Sequence, residues 1–318
     1  MSKSNYGLLE NRKENMIVLR LIGGLGNQMS QVAFSYILGK IYQQKVYIDN
    51  SSYQHYKIRP CSIQKMKLDN NIIFYTGQNK FVYMKMRISQ KIYHVYQYFF
   101  GRNKQIGEKT YLKFVKRGHY YNFDSDFYGF PLTFKKNIDI YGYFLGEKYF
   151  HDNKDNLKKI FSVKETFISD QAKKYLTMIL KDKNAVAISV RLQDDYLKNP
   201  KFNVCNRQYF LDALIELKKR LGNLKLKYFI FSDDIERAKA LDLPLENVTY
   251  IEDVTDVEGM MLMNNCCHYI ISNSSFSWWG AYLSKNDYKL VVAPDRWLNN
   301  DIDYSSKYYE GVIKINVK

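Results

Sequence analysis

Small polar residues between an apolar run and two tryptophans mark the stretch 270–284 as a candidate phosphate site. Ile270 and Ile271 end an apolar run typical of a buried strand, and the segment from Phe276 to Leu283 has helical character. A turn from a strand into a helix directs several backbone N–H groups, backed by the helix dipole, at one point. An ordinary turn with serine N-caps is the plainer interpretation. The residues predicted to bind a ligand here are Asn273, Ser274, Ser275, Phe276, Ser277 and Trp278.

A glycine-rich turn follows the apolar run 16–22. Its G-G-x-G-N order resembles a nucleotide-binding loop but lacks the last glycine of G-x-G-x-x-G, so it is a weak dinucleotide signal. Glycines at this point would still let the backbone approach a ligand closely. The first side chains of the following helix would then face that ligand. This turn adds four residues to the candidate site: Gly24, Gly26, Asn27 and Gln28.

Charged side chains follow two further predicted strands, 185–190 and 227–231. Ligands of open α/β sheets bind beyond the carboxyl ends of the strands, which is where these side chains stand. A guanidinium there can hold a diphosphate through paired hydrogen bonds. One carboxylate could accept hydrogen bonds from guanine or ribose while another caps a helix, or both could be caps. The residues in question are Arg191, Asp194, Ser232, Asp233 and Asp234.

Strands and helices alternate through both halves of the chain. Strands are predicted at 16–22, 46–49, 138–144, 185–190, 227–231, 250–252, 270–271 and 289–293, and helices at 29–43, 83–100, 166–181, 209–221, 235–241 and 257–264. Continuous apolar strands separated by helices indicate parallel sheets. The pattern predicts an α/β fold with two Rossmann-like domains facing a cleft. The predicted divisions are a polar tail at 1–15 and domains at 16–160 and 161–318.

Positive charge is concentrated in the first half of the chain. The 318 residues carry a formal net charge of +16, and residues 1–150 hold 23 Lys and Arg against 9 Asp and Glu. Residues 57–117 alone hold 14 basic and 2 acidic side chains. Such a stretch could bind nucleic acid, an anionic membrane face or a phosphate-bearing acceptor, or could be a solvated face. It contains no RNA-binding motif, so we expect no nucleic acid.

Several function classes are disfavoured by the composition. The four cysteines, Cys61, Cys205, Cys266 and Cys267, have no zinc spacing and indicate a reducing compartment. No run approaches the roughly 20 apolar residues of a membrane span, and the polar start predicts no signal peptide. The Asp-x-Asp triplet 124–126 resembles a metal motif but follows no hydrophobic strand, so we expect no metal. The expected location is cytoplasmic, at most peripheral at the inner membrane face.

Four motifs together resemble those of the bacterial α-1,2-fucosyltransferases of glycosyltransferase family 11. They are Gly23-Gly24-Leu25-Gly26-Asn27-Gln28-Met29, Gly142-Tyr143 with Glu147, Phe231-Ser232-Asp233-Asp234, and Asn273-Ser274-Ser275-Phe276-Ser277-Trp278-Trp279-Gly280. The resemblance implies a GT-B fold that binds the acceptor in the N-terminal domain and a GDP-sugar in the C-terminal one. It also implies no required metal or cofactor, and an inverting reaction that turns β-linked fucose into an α-1,2 glycoside.

The family's phosphate motif, H-x-R-R-G-D-Y, is altered in this chain. It appears as Ser189-Val190-Arg191-Leu192-Gln193-Asp194-Asp195, which keeps the first Arg and the Asp. One guanidinium is therefore missing from a site for a negatively charged diphosphate. Three explanations stay open: a donor other than GDP-fucose, such as GDP-colitose; compensation by other cations; or weak activity.

The expected reaction moves fucose from GDP-β-L-fucose to a hydroxyl of a cell-surface glycan precursor, galactose O2 by resemblance. That acceptor could be linked to a lipid diphosphate. We expect Arg191 to stabilise the departing diphosphate and Asn27 to orient the acceptor, with Asp194 or Glu147 as the base. The alternatives are the same chemistry with another nucleotide sugar, and a non-catalytic protein that binds an anionic surface.

Overall fold

The structure is a computed structural model that describes residues 15–56, 58–100, 107–123 and 126–317. Two parallel sheets with helices packed against them confirm the predicted α/β fold. The predicted polar tail lies outside the described residues except for Asn15. Two of the three residues of the candidate metal motif, Asp124 and Ser125, also lie outside them.

The first sheet comprises β1 (Ile17–Arg20), β2 (Val46–Asp49), β3 (Ile72–Phe74), β4 (His119–Asn122) and β5 (Ile138–Gly142). Its order is β3-β2-β1-β5-β4, and these neighbours pair in parallel. Strand β1 lies at the centre of the sheet, with β2 and β3 on one side of it and β5 and β4 on the other. Ligands of open α/β sheets bind beyond the carboxyl ends of such parallel strands.

The second sheet comprises β6 (Ala185–Val190), β7 (Lys227–Ser232), β8 (Val248–Tyr250), β9 (His268–Ile271), β10 (Val291–Pro294) and β11 (Val312–Ile315). The order β11-β10-β9-β6-β7-β8 is that of a Rossmann sheet, with its switch point between β6 and β9. All six residues of β6 are buried, because this central strand is covered by its neighbours and by helices. Its unbroken apolar run is the signature of a strand in that position.

The helices are α1 (Leu25–Tyr42), α2 (Lys80–Phe100), α3 (Glu108–Val115), α4 (Lys154–Ile160), α5 (Asp170–Leu180), α6 (Asp194–Leu197), α7 (Arg207–Leu221), α8 (Ile235–Ala240), α9 (Asp256–Asn264) and α10 (Ser275–Tyr282). Helix α1 is buried from Leu25 to Gly39 except at Asn27, so it is a core helix rather than a surface one.

The sequence patterns missed β3, β4, β11, α3, α4 and α6. The three strands lie at sheet edges: β3 and β11 are only partly buried, and β4 is buried but consists of His-Tyr-Tyr-Asn, so none has the continuous apolar run of a central strand. Helix α1 begins at Leu25, four residues before the prediction, because glycines mask the helical pattern of its first turn. Gly26, Asn27 and Gln28 therefore belong to the helix itself.

The two sheets are joined through a close crossing of α1 and α10. A Cβ on Gly26 would lie 2.6 Å from the carbonyl oxygen of Ser275 and closer still to the amide nitrogen of Phe276. The first turns of the two helices therefore touch backbone to backbone. Only glycine allows this approach. One turn further along, Trp279 Nε1 donates a 2.9 Å hydrogen bond to Ser30 Oγ, and both side chains are fully buried.

We expect Gly26→Ala to lower the free energy of unfolding by about 3 kcal/mol, because the added methyl group must push backbone atoms apart. The matched control is Gly24→Ala. Its Cβ would meet only the flexible side chain of Arg59, at 3.5 Å, and its backbone already suits alanine. The control should lose less than about 1 kcal/mol. Urea unfolding followed by circular dichroism measures both, and equal losses would contradict the crossing as described.

Candidate active site

A cavity of about 840 Å³ opens where the carboxyl ends of the two sheets face each other. Its walls come from the segments after β1, β2, β4 and β5 on one side and after β6, β7, β8, β9 and β10 on the other. The strand ends of both sheets therefore contribute to one cleft. Of the residues predicted from the sequence, ten line it: Gly24, Gly26, Asn27, Arg191, Ser232, Asp233, Asn273, Ser274, Ser275 and Phe276.

Three predicted ligand contacts are buried beneath the cleft instead. Gln28 is fully buried. Its side-chain Nε2 donates hydrogen bonds to Gly23 O and Pro60 O, and its Oε1 accepts hydrogen bonds from the backbone N–H groups of residues 62 and 63. Ser277 Oγ bonds the carbonyls of 272 and 274, and Trp278 Nε1 donates to Lys307 O. These side chains hold the turns that line the cleft, which corrects the expectation that they touch a ligand.

The other three predicted residues lie away from the cleft. Asp194 pairs with Lys198 at 2.7 Å and Arg237 at 2.8 Å, and these two cations lower its pKa. Asp234 caps α8 by accepting a hydrogen bond from the amide of Arg237. Glu147 accepts a hydrogen bond from the amide of Glu310. The structure therefore brings neither of the two candidate bases, Asp194 and Glu147, to the cavity.

Two guanidinium groups from opposite walls meet at one carboxylate. Arg191, after β6, binds Asp195 at 2.6 Å, and Arg59, from the first domain, lies 3.6 Å from the same carboxylate. Arg59 also binds Asp233 at 3.1 Å, so it bridges the cleft. The Nε of Arg191 is buried and has no hydrogen-bond partner among the described residues. Two guanidinium groups in the wall of the cleft therefore converge on one carboxylate of the same chain.

Asp233 organises the altered phosphate motif. Its carboxylate accepts hydrogen bonds from the amides of Leu192 and Gln193, at 2.7 and 3.2 Å. The Gln193 side chain donates to the backbone carbonyl of Asp233 at 3.0 Å. Leu192 itself is buried in the apolar core of the second domain. The arginine that the family motif has at this position is thus replaced by a core side chain.

A buried polar network supports the far wall of the cleft. Tyr196 donates a 2.6 Å hydrogen bond to Asn273 Oδ1 and accepts from the amides of Val204 and Cys205. Asn273 Nδ2 donates to the carbonyls of Phe202 and residue 297. Burial raises the pKa of the Tyr196 hydroxyl, so it stays a neutral donor. Asn273 therefore fixes the wall, and its amide is fully used in doing so.

Sequence reasoning gave no role to five charged residues of the cleft: Arg59, Asp195, Lys201, Asp256 and Lys307. Arg59 was one of many cations in a basic stretch, and nothing local marks its partner 174 residues away. Asp195 had a signal, since it stands where the family motif has tyrosine. Burial raises the pKa of Asp256, the first residue of α9, although the amide of Val257 donates to its carboxylate at 2.9 Å.

The described residues provide neither a metal site nor a membrane span. Across 15–56, 58–100, 107–123 and 126–317, no cluster of three His, Cys, Asp or Glu side chains could hold a metal ion. No helix in that part of the chain has the length and apolar content needed to cross a membrane. Within the same residues the four cysteines are free thiols.

Two Rossmann-like parallel sheets whose carboxyl ends share one cleft define the GT-B class of glycosyltransferases. The chain belongs to glycosyl transferase family 11, whose family model matches residues 5–315. Family membership makes the protein a glycosyltransferase, so the non-catalytic alternative is not retained.

Similar proteins agree with this assignment. An alpha-1,2-colitosyltransferase of Escherichia coli is 29% identical over 298 residues, covering 90% of this chain and 94% of that one. The O-antigen biosynthesis glycosyltransferase WbnK of Escherichia coli is 27% identical over 296 residues, covering 87% and 93%. Among solved structures, fucosyltransferase NodZ from Bradyrhizobium has a TM-score of 0.52 at 11% identity, covering 85% and 94%. At that identity it supports the fold alone.

The Tyr196 network makes a testable demand on stability. We expect Tyr196→Phe to lower the free energy of unfolding by about 2–4 kcal/mol, because two buried amides and an amide oxygen lose their partner. Tyr228→Phe is the control: this hydroxyl is buried, has no hydrogen-bond partner in the described chain, and burial raises its pKa to about 12. Its removal should leave stability unchanged or slightly higher. Urea denaturation of both variants tests the network, and similar losses would refute it.

Proposed function

We propose that the protein moves fucose from GDP-β-L-fucose to a hydroxyl of a glycan precursor, with inversion at the anomeric carbon. The galactose O2 acceptor and the α-1,2 linkage follow the family resemblance. Membership of family 11 and the four matching motifs support the reaction class. In this proposal residues 161–318 bind the nucleotide sugar and residues 16–160 bind the acceptor.

The observation that carries the proposal is the carboxylate of Asp195 held between Arg191 and Arg59. Two guanidiniums that converge on one anion suit a diphosphate, which offers more negative charge and more acceptor oxygens than a carboxylate. Arg59 then compensates for the arginine missing at position 192. The compensating cation comes from the opposite domain, so it engages the diphosphate only when the cleft is formed.

Backbone donors complete the proposed diphosphate site. Helix α10 begins at Ser275, and its first N–H groups have no partner within the helix. Helix α1 begins beside it, so the positive ends of two helix dipoles meet at the cleft. Charge that develops on the departing GDP would be stabilised there without further rearrangement.

Asp256 is our candidate for reading the guanine base. Guanine presents N–H donors at N1 and N2, which a carboxylate can accept. The sequence analysis gave this role to Asp233 or Asp234, but the first is engaged by two amides and Arg59, and the second caps α8. Asp256 lines the cleft and is partly buried.

In the transfer step the acceptor hydroxyl oxygen bonds to the anomeric carbon from the face opposite the diphosphate. The bond from that carbon to the diphosphate oxygen breaks, GDP leaves with its electron pair, and the hydroxyl proton passes to water in the open cleft. Asn27, on the wall of the first domain, is placed to orient the acceptor. Asp194 and Glu147 take no part, because neither lines the cleft. A good leaving group allows an oxocarbenium-like transition state that needs little help from a base.

Colitose is the second candidate sugar, and one observation favours it. The 29% identical relative that spans nearly the whole chain is named an alpha-1,2-colitosyltransferase. Colitose lacks the 3-hydroxyl of fucose, so the two donors differ by one polar group on C3, two carbons away from the anomeric carbon that reacts. The O-antigen relative favours a cell-surface glycan precursor as the acceptor, which we place, like the donor, in the cytoplasm.

The paired-arginine site can be tested by calorimetric titration with GDP. We expect Arg191→Gln and Arg59→Gln each to weaken binding about tenfold or more, because each removes charge-assisted hydrogen bonds. Asp195→Asn should strengthen binding by about threefold to tenfold, because it removes the competing internal anion. Arg220→Gln is the matched control, since Arg220 forms an equally short pair with Glu216 away from the cleft. Weaker GDP binding by Asp195→Asn would contradict the site as proposed.

Donor identity can be tested with a panel of nucleotides and turnover assays. GDP should raise the melting temperature of the wild-type protein more than ADP, UDP or dTDP do, and Asp256→Asn should remove the advantage of GDP over ADP. GDP-fucose and GDP-colitose, each supplied with a galactoside acceptor, then decide between the two sugars. Stabilisation by UDP or dTDP alone would overturn the proposed donor class.

A further inference from the structure

Helix α2 presents a continuous apolar stripe to solvent. Its members recur every three or four residues and are each 56–69% exposed: Phe81, Met84, Ile88, Ile92, Val95 and Phe99. At about 100° per residue they fall within an arc of about 80° on the helix surface. Isolated exposed apolar side chains are ordinary, but a stripe of six along one helix marks an interaction surface.

The stripe is not needed to hold α2 on the domain. The opposite face of the helix is buried through Met86, Gln90 and Tyr93. Met86 packs in an apolar cluster with residues of β1 and β2, and Gln90 Nε2 donates to Asp139 of β5 at 2.8 Å. The helix therefore has two apolar sides, and the folded domain uses only one of them.

The charges on and beside the stripe are mainly positive. Helix α2 contains no acidic residue. Lys85 and Lys91 are exposed and border the stripe on its two sides, each at about 60° from its centre on the helical wheel. Helix α3, which packs beside α2, adds exposed Lys109 and Lys113, and Lys116 follows its end; Glu108 is the one exposed acidic residue of α3. Long lysine side chains beside an apolar stripe suit a surface where a negatively charged layer overlies an apolar one.

We propose that α2 binds the surface of an anionic lipid bilayer, lying parallel to the membrane plane with the stripe inserted among the acyl chains. A second copy of this chain fits less well, because it would bring two all-basic helices together. The proposal rests on the exposed stripe and the adjoining charges, and it does not depend on which sugar is transferred.

This docking would place the active-site cleft beside the membrane. Tyr93, on the buried side of α2, packs against Phe123, and Phe123 packs edge-on against Tyr143. Phe123 and Tyr143 both line the cleft. One face of α2 thus carries the stripe, and the opposite face packs against the cleft wall of the first domain. An acceptor anchored in the same bilayer would therefore meet that wall.

Vesicle co-sedimentation of the full-length protein tests the proposal. The wild type should bind vesicles of phosphatidylcholine with one quarter phosphatidylglycerol and bind pure phosphatidylcholine far more weakly. The double variant Ile88→Ser/Ile92→Ser should reduce partitioning into the anionic vesicles at least tenfold. The matched control is Leu180→Ser/Ile215→Ser, two equally exposed apolar residues on α5 and α7, which should bind as the wild type does.

A second pair of variants separates charge from apolar contact. Lys85→Gln/Lys91→Gln should weaken binding to anionic vesicles about fivefold per lysine and leave binding to neutral vesicles unchanged. Equal binding by the stripe variant and its control would overturn the proposal, as would equal wild-type binding to anionic and neutral vesicles. The proposal would also be overturned if light scattering showed that the wild type is a dimer and the stripe variant a monomer, while the wild type did not bind the vesicles. Thermal melts of all variants check that each remains folded.

Discussion

The backbone contact between the first turns of α1 and α10 is the constraint on which the rest of the site depends. It is possible because residue 26 has no side chain, and it sets the carboxyl ends of the two sheets at the distance that makes one cleft. Trp279 stabilises the crossing through its hydrogen bond to Ser30, and Trp278 connects α10 to residue 307 through a second hydrogen bond. The glycine therefore permits the close approach of the two helices, and the two indole groups stabilise it.

Electrostatics within this frame depend on long-range pairs rather than on one motif. Asp233 fixes the loop after β6 through two amides and also accepts a bond from Arg59 across the cleft. The chain has an apolar core residue, Leu192, where the family motif has an arginine, and in the proposed diphosphate site Arg59 from the other domain supplies the cation instead. In the proposed reaction, diphosphate binding and the closeness of the two domains are thereby coupled.

The sequence was most informative where structure is local. Continuous apolar runs located the central strands, and ligand residues at strand ends were predicted because parallel strands end together. Edge strands such as β11 were missed, since partial burial leaves no clear period. Trp278 and Gln28 were assigned to the ligand because polar or aromatic residues in a motif do not reveal which way they point. Arg59 could not be found at all, because its partner is distant in sequence.

The position of Asp195 has a kinetic consequence for an enzyme that must release its product. In the proposed site, a carboxylate tethered next to two arginines would compete with the diphosphate at high effective concentration. Binding of a diphosphate would then exchange one anion for another at Arg191, while Arg59 also has Asp233 as a partner. When GDP loosens, the side chain can return before solvent fills the gap. The same acid that weakens ground-state affinity would thus shorten the residence time of the spent nucleotide.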